Sequence, residues 1–133
     1  MLAAEKAAGR HPTEMPPNNP GYDIESLDPE TGRLYFIEVK GRAAGNTSFT
    51  ITKTEILTAL NAPETWVLAV VHVEGESGSE PRYLLRPFTQ EPEFSTTHRT
   101  CDIERLVATP GVVQTSAAQL TTSVQKHFGV DHS

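Results

Sequence analysis

The chain has 133 residues, 37% of them hydrophobic and 21% charged, with a formal net charge of −6 and one cysteine. That length suits one domain with a single core. No apolar run approaches the roughly 18 residues of a membrane helix, no signal-peptide pattern opens the chain, and the lone Cys101 excludes an internal disulfide, as suits a cytoplasmic protein. The acidic balance argues against loose electrostatic binding to nucleic acid, but it does not exclude an enzyme whose acids are catalytic.

Residues 1–8, MLAAEKAA, are strong helix formers, and Gly9 suits the position that ends a helix. The helix is short, as if the chain were cut from something longer. Residues 10–20, RHPTEMPPNNP, are dense in Pro and Asn and predict a loop. Residues 21–42, GYDIESLDPETGRLYFIEVKGR, then predict a β-hairpin: two alternating runs, 22–27 and 34–40, flank the turn formers Asp28, Pro29 and Gly32. A four-residue loop over 29–32 sets Asp28 opposite Arg33. Leu27 then pairs with Leu34, Glu25 with Phe36, and Asp23 with Glu38.

Side chains alternate between faces, so this register puts Asp23, Glu38 and Lys40 on one face. Opposed residues have Cβ atoms about 4.5–5.5 Å apart, where like charges destabilise. Two such carboxylates need a cation between them or a raised pKa on one. A hard divalent cation such as Mg²⁺ meets that need through carboxylate oxygens. The plainer reading is a strand that leaves the core at Glu38, with its charges solvated or paired to each other.

Residues 41–46 predict a second loop, where the planar fork of Arg42 suits phosphate oxygens. A short strand over 47–51 leads into Thr52-Lys53-Thr54-Glu55, a capping box that starts a helix at Lys53. Ile56, Leu57 and Leu60 give that helix an apolar stripe, and Asn61, Ala62 and Pro63 stop it. Glu55 is assigned to capping alone. Lys53 runs against the helix dipole and suits a phosphate backbone instead. Residues 66–73, WVLAVVHV, predict a strand covered on both faces, with His72 a core or strand-end histidine. An acidic turn follows at 74–80, then a hairpin partner at 82–86 and a loop at 87–97. Residues 102–109 predict a short strand or helical turn. Residues 116–128 predict a polar helix with little apolar face, so 111–133 is set apart from 1–110 as a helix or tail.

Asp23 followed by Glu38-Val39-Lys40 resembles the D-(x)n-E-x-K signature of the PD-(D/E)XK nuclease superfamily. More closely, NNPGYDIES, FIEVKGR, TSFTITKTEILTAL and WVLAVVHV resemble the Protein NO VEIN C-terminal domain family, over about residues 5–105. The resemblance implies an α/β (α+β) restriction-endonuclease-like fold, with an α-β-β-β-α-β core and a mixed sheet flanked by helices. It implies a module of helicase-associated or defence-related proteins that hydrolyses DNA phosphodiester bonds with Mg²⁺, or Mn²⁺ in its place. Asp23, Glu38 and the Val39 carbonyl would hold the metal, and Lys40 would orient or deprotonate water. Arg42 and Lys53 would contact DNA, Glu5 on the first helix would act behind the metal ligands, and cutting as a homodimer is common in such nucleases. Two alternatives stay open: a catalytically inactive module that binds nucleic acid or protein for a helicase-like parent, and a structural domain in which the three charges form a buried ion-pair network.

Overall fold

The hairpin at the centre of the chain forms in the register its turn dictates. In the computed structural model, which describes residues 1–19, 21–43, 45–74, 77–78 and 80–128, strands β2 (Ile24–Leu27) and β3 (Leu34–Ala43) are antiparallel. Leu27 faces Leu34, and Glu25 faces Phe36. Asp28 N–H donates to the Arg33 carbonyl at 2.8 Å, and Gly32, at φ 74°, closes the loop onto the Asp28 carbonyl. A positive φ costs glycine nothing, which is why the turn carries one here.

Helix α1 (Leu2–Ala7) precedes the sheet and ends at Gly9, φ 88°. Residues 10–20, expected to be loop throughout, contain strand β1 (His11–Glu14), which pairs antiparallel with β2. The proline content misled because Pro12 lies on the sheet's outermost strand, where a missing N–H is tolerated. The Thr47–Ile51 region forms β4 (Ser48–Thr52), but β4 leaves the main sheet and pairs with β8 (His98–Asp102) as a separate two-stranded ribbon. The α-β-β-β-α-β core is therefore α1, β1, β2, β3, α2 (Lys53–Asn61) and β5 (Trp66–Glu74), with β1 rather than β4 in the three-strand meander.

Helix α2 starts at the expected capping box, with Thr52 Oγ1 accepting from Glu55 N–H and the Glu55 carboxylate accepting from Thr52 N–H. It carries the chain across to β5, which lies parallel to β3, and Trp66 through Val70 are buried to within 1%. The sheet continues through β7 (Arg82–Leu85) to β9 (Val113–Thr115), both antiparallel to their neighbours, while β6 (Ser77–Gly78) pairs with the end of β5. Residues 75, 76 and 79 of the expected acidic turn lie outside the described residues.

Two apolar layers sandwich the sheet. One packs Phe49, Ile51, Ile56, Trp66, Leu68, Leu84 and Ile103 under α2, the ribbon and α3 (Ile103–Ala108). The other packs Ile24, Tyr35, Ile37, Val67, Tyr83 and Leu85 under α1 and α4 (Leu120–Phe128). The helix expected within 116–128 forms. Its apolar face is only two fully buried residues wide, Leu120 and Val124, yet these seal the second layer. Residues 129–133 lie outside the described residues. Among the described residues, no helix is long and apolar enough to cross a membrane.

Candidate active site

The face that carries Phe36 on β3 turns acidic one step later, where Glu38 sits beneath α2. Glu38 is 4% exposed, and Lys40 two residues on lies beside it. The Lys40 ammonium is 3.1 Å from Glu38 Oε2 and 3.2 Å from Glu55 Oε1. Glu55, buried in the first turn of α2, is thus shared between a helix cap and the Lys40 ammonium. Sequence spacing gave it only the first role. The capping box explains it fully as a local motif, and only the crossing of α2 over β3 shows that its carboxylate reaches Lys40.

Asp23 stands just before β2, at the sheet's edge. Its N–H donates to the Ile37 carbonyl at 2.8 Å, although Ile37 is already the partner of Ile24, so the ladder ends there in a bulge and the expected pairing of Asp23 with Glu38 is not made. Its Oδ2 accepts from Val39 N–H at 2.8 Å, and the residue is exposed. Within one strand residue N–H and C=O point to the same neighbour. The Val39 carbonyl therefore also faces the position that β2 has vacated, beside Asp23. Gly21 holds this loop close to α2: its carbonyl accepts from Trp66 Nε1 at 3.0 Å, and a Cβ there would stand 2.6 Å from Thr58 Oγ1. A cleft of about 730 Å³ opens beside Asp23 on the α1 side of the sheet, walled by Leu2, Met15, Pro17, Ile24 and Val39 among others, whereas Glu38, Lys40 and Glu55 lie on the opposite face and do not line it.

Burial, then the hydrogen bond with Glu55, pushes the Glu38 carboxyl up to about 8; Lys40 opposes this, and the charges of Glu55 and Asp23 add to it. Crowded carboxylates require a cation or a proton; the Lys40 ammonium stands between Glu38 and Glu55, and the raised Glu38 pKa favours a proton there. Among the described residues, no three carboxylate, imidazole or thiol groups are already spaced to enclose a metal ion. The donor set nonetheless suits a hard divalent cation: Asp23 Oδ1, the Glu38 carboxyl and the Val39 carbonyl are all oxygen.

The remaining expected residues lie elsewhere. Glu5 is wholly buried, its carboxylate taken up by Arg10 Nε and Nη2, Ser26 Oγ and Tyr83 Oη, each at 2.6 Å. Burial alone would raise its pKa, but these donors outweigh burial and hold it below the ordinary carboxylate range. None of these partners belongs to the Asp23–Glu38 cluster, and Ser26 and Tyr83 belong to the second apolar layer or its face of the sheet. Arg42 donates to the Ser48 and Gly41 carbonyls, tying the end of β3 to the start of β4. Lys53 Nζ donates to the Phe94 carbonyl at 3.0 Å and lies 5.2 Å from that ring's centre.

The mixed sheet, its flanking helices and the acidic turn of β3 define a restriction-endonuclease-like fold. The Holliday junction resolvase Hjc of Archaeoglobus fulgidus shares it: the chains superpose with a TM-score of 0.56 at 14% identity, over 90% of this chain and 96% of the resolvase. The sequence profile described as Protein NO VEIN, C-terminal, matches residues 1–84, and the chain belongs to that family. Comparison with curated protein sequences gives no significant match.

Proposed function

We propose that the protein is a metal-dependent nuclease that hydrolyses DNA phosphodiester bonds through Asp23, Glu38 and Lys40. The observation that carries this reading is a buried carboxyl, Glu38, kept beside Glu55 and a lysine ammonium where the apolar face of β3 ends. A buried ion network of this kind is weak as a stabilising device, since well-packed apolar residues serve as well or better. Sites that bind and polarise a substrate are where such destabilising arrangements are retained.

Asp23, Glu38 and the Val39 carbonyl would hold a Mg²⁺ or Mn²⁺ ion, which would supply Lewis-acid polarisation of the scissile phosphate. Lys40 Nζ, steadied between Glu38 and Glu55, would orient the attacking water and neutralise charge that grows on the phosphate oxygens. Glu55 acts as a positioning residue, because it fixes the ammonium that the chemistry uses. The Gly21–Trp66 contact sets where Asp23 meets the Val39 peptide. Likeness to a resolvase supports DNA as the polymer acted on. A parent helicase-like protein, a role in defence and assembly as a homodimer rest on the family resemblance alone.

The test is cleavage of labelled duplex, single-stranded and four-way-branched DNA in Mg²⁺ or Mn²⁺, by the wild type and by Lys40→Met. The expected result is metal-dependent cleavage that falls by two to four orders of magnitude in the variant, as loss of one general acid–base group does. Equal cleavage by both proteins would remove Lys40 from the mechanism. No cleavage of any substrate by a folded wild type would favour the non-catalytic binding module.

A further inference from the structure

Phe94 is 96% exposed, far more than any other large apolar side chain described, and contributes nothing to either core layer. It is nevertheless held in place. Lys53 Nζ donates to its carbonyl, Lys53 N–H donates to the Thr97 carbonyl at 2.9 Å, and Thr96 N–H closes a turn onto the Glu93 carbonyl. These bonds hold the Phe94 backbone beside the first turn of α2, the same turn that carries Glu55, and leave the ring in solvent with the Lys53 ammonium near its face. Beyond it runs the β4–β8 ribbon, whose exposed residues include Ser48, Thr50, Thr52, His98 and Thr100. In a chain of net charge −6, residues 45–53 and 94–101 contain no Asp or Glu and include Lys53, His98 and Arg99.

From this juxtaposition we infer that Phe94 and Lys53 form a stacking platform for an unpaired base of the nucleic-acid strand, with the strand's phosphates running over the hydroxyl-bearing ribbon. The inference rests on the nuclease reading and deepens it, naming as substrate DNA with unpaired or splayed bases. An exposed aromatic ring offers a face that every base can stack on, and a cation beside it serves the adjoining phosphate. Hydroxyl side chains such as those of the ribbon are common phosphate donors. Glu91 and Glu93 lie on the other side of Phe94 in the chain. Their charge repels phosphates, so the strand's phosphates are expected on the Lys53 and ribbon side of the ring. A fully paired duplex keeps its bases stacked on each other and cannot use the ring without unstacking one.

The test is binding measured in EDTA, where cleavage plays no part, with fluorescein-labelled single-stranded and duplex oligonucleotides of equal length. Phe94→Ala should weaken single-strand binding by roughly ten-fold or more and leave duplex binding unchanged, while Phe94→Trp should retain single-strand binding. Trp66 is 1% exposed, so the new indole should report stacking as a quench on adding single strand. Lys53→Ala should weaken both forms and lower the salt slope by about one. Unchanged single-strand affinity in Phe94→Ala, or no quench in Phe94→Trp, overturns the inference, as does failure of every variant and the wild type to bind single strand. The two readings fail separately. Cleavage with no role for Phe94 leaves the nuclease standing, and Phe94-dependent binding with no cleavage leaves the platform standing.

Discussion

Glu38→Gln should make the protein more stable in the absence of metal while removing a proposed metal ligand. The Glu38 carboxyl titrates at about 8 in the fold, against an ordinary value of 4.5. Folding thus disfavours its charged form, so the native state is stabilised in relative terms below pH 4.5 and loses that advantage as pH rises towards 8. At pH 7 the carboxyl sits roughly 2.5 units above its unfolded titration point, which at 1.36 kcal/mol per unit amounts to about 3 kcal/mol. Relaxation of Lys40 and Glu55 around an ionised Glu38 would reduce the figure, and about 1–3 kcal/mol is the expected gain from an uncharged isostere. Glutamine keeps the volume and can still donate to Glu55. The assay is thermal and urea unfolding of wild type and variant at pH 4, 7 and 9. The melting temperature should rise by roughly 3–12 °C at pH 7, with little difference at pH 4. A variant that is no more stable at pH 7 or 9 would refute the claim that burial and Glu55 burden Glu38 with a charge it resists carrying.

Other consequences follow from the far side of the sheet. Glu5→Ala leaves Arg10 buried without its carboxylate, and loss of one partner from a buried pair costs about 3–5 kcal/mol, so urea midpoints should fall steeply. Because the Glu5 carboxyl is held below 4.5, the stability it provides is present above pH 4.5 and is lost as pH falls through its folded value; Glu5→Gln should flatten that acid limb. Leu120→Ala in α4 should cost about 2–5 kcal/mol in chemical unfolding, with a single cooperative transition. A small or separate transition would show that α4 folds independently of the sheet.

The residues of the candidate site were more legible in the sequence than the path of the chain around them. Alternation and the Asp28–Gly32 turn are local, and together they suffice to set the hairpin register as far as Ile24 opposite Ile37, whereas the bulge that takes Asp23 off that ladder was not legible. Helix α2 was equally legible, since its capping box and stop signal lie within twelve residues. Strand β1 was hidden because an edge strand tolerates the proline and polar side chains that also mark loops. The destination of β4 was hidden for a different reason: a strand's own residues do not say which partner it takes, and β8 lies some fifty residues downstream. Glu55 shows how a side chain with a sufficient local explanation can conceal a second role. Its approach to Lys40 depends on where α2 crosses β3, which is a property of packing. Glu5 shows the reverse. Its helix was predicted, but its four hydrogen-bond donors come from three separate segments and could not be read from spacing.

The central claim is that Asp23 and Glu38 together form a cation site, and calorimetric titration of Mn²⁺ and Mg²⁺ tests it most directly. Wild type should bind either ion with an affinity that increases from pH 6 to pH 8.5, as the proton on Glu38 is displaced. Asp23→Ala should fold normally, since Asp23 is exposed at the sheet edge, and should lose that binding. Binding that persists unchanged in Asp23→Ala, or a wild type that binds neither ion at any of these pH values, would contradict the account.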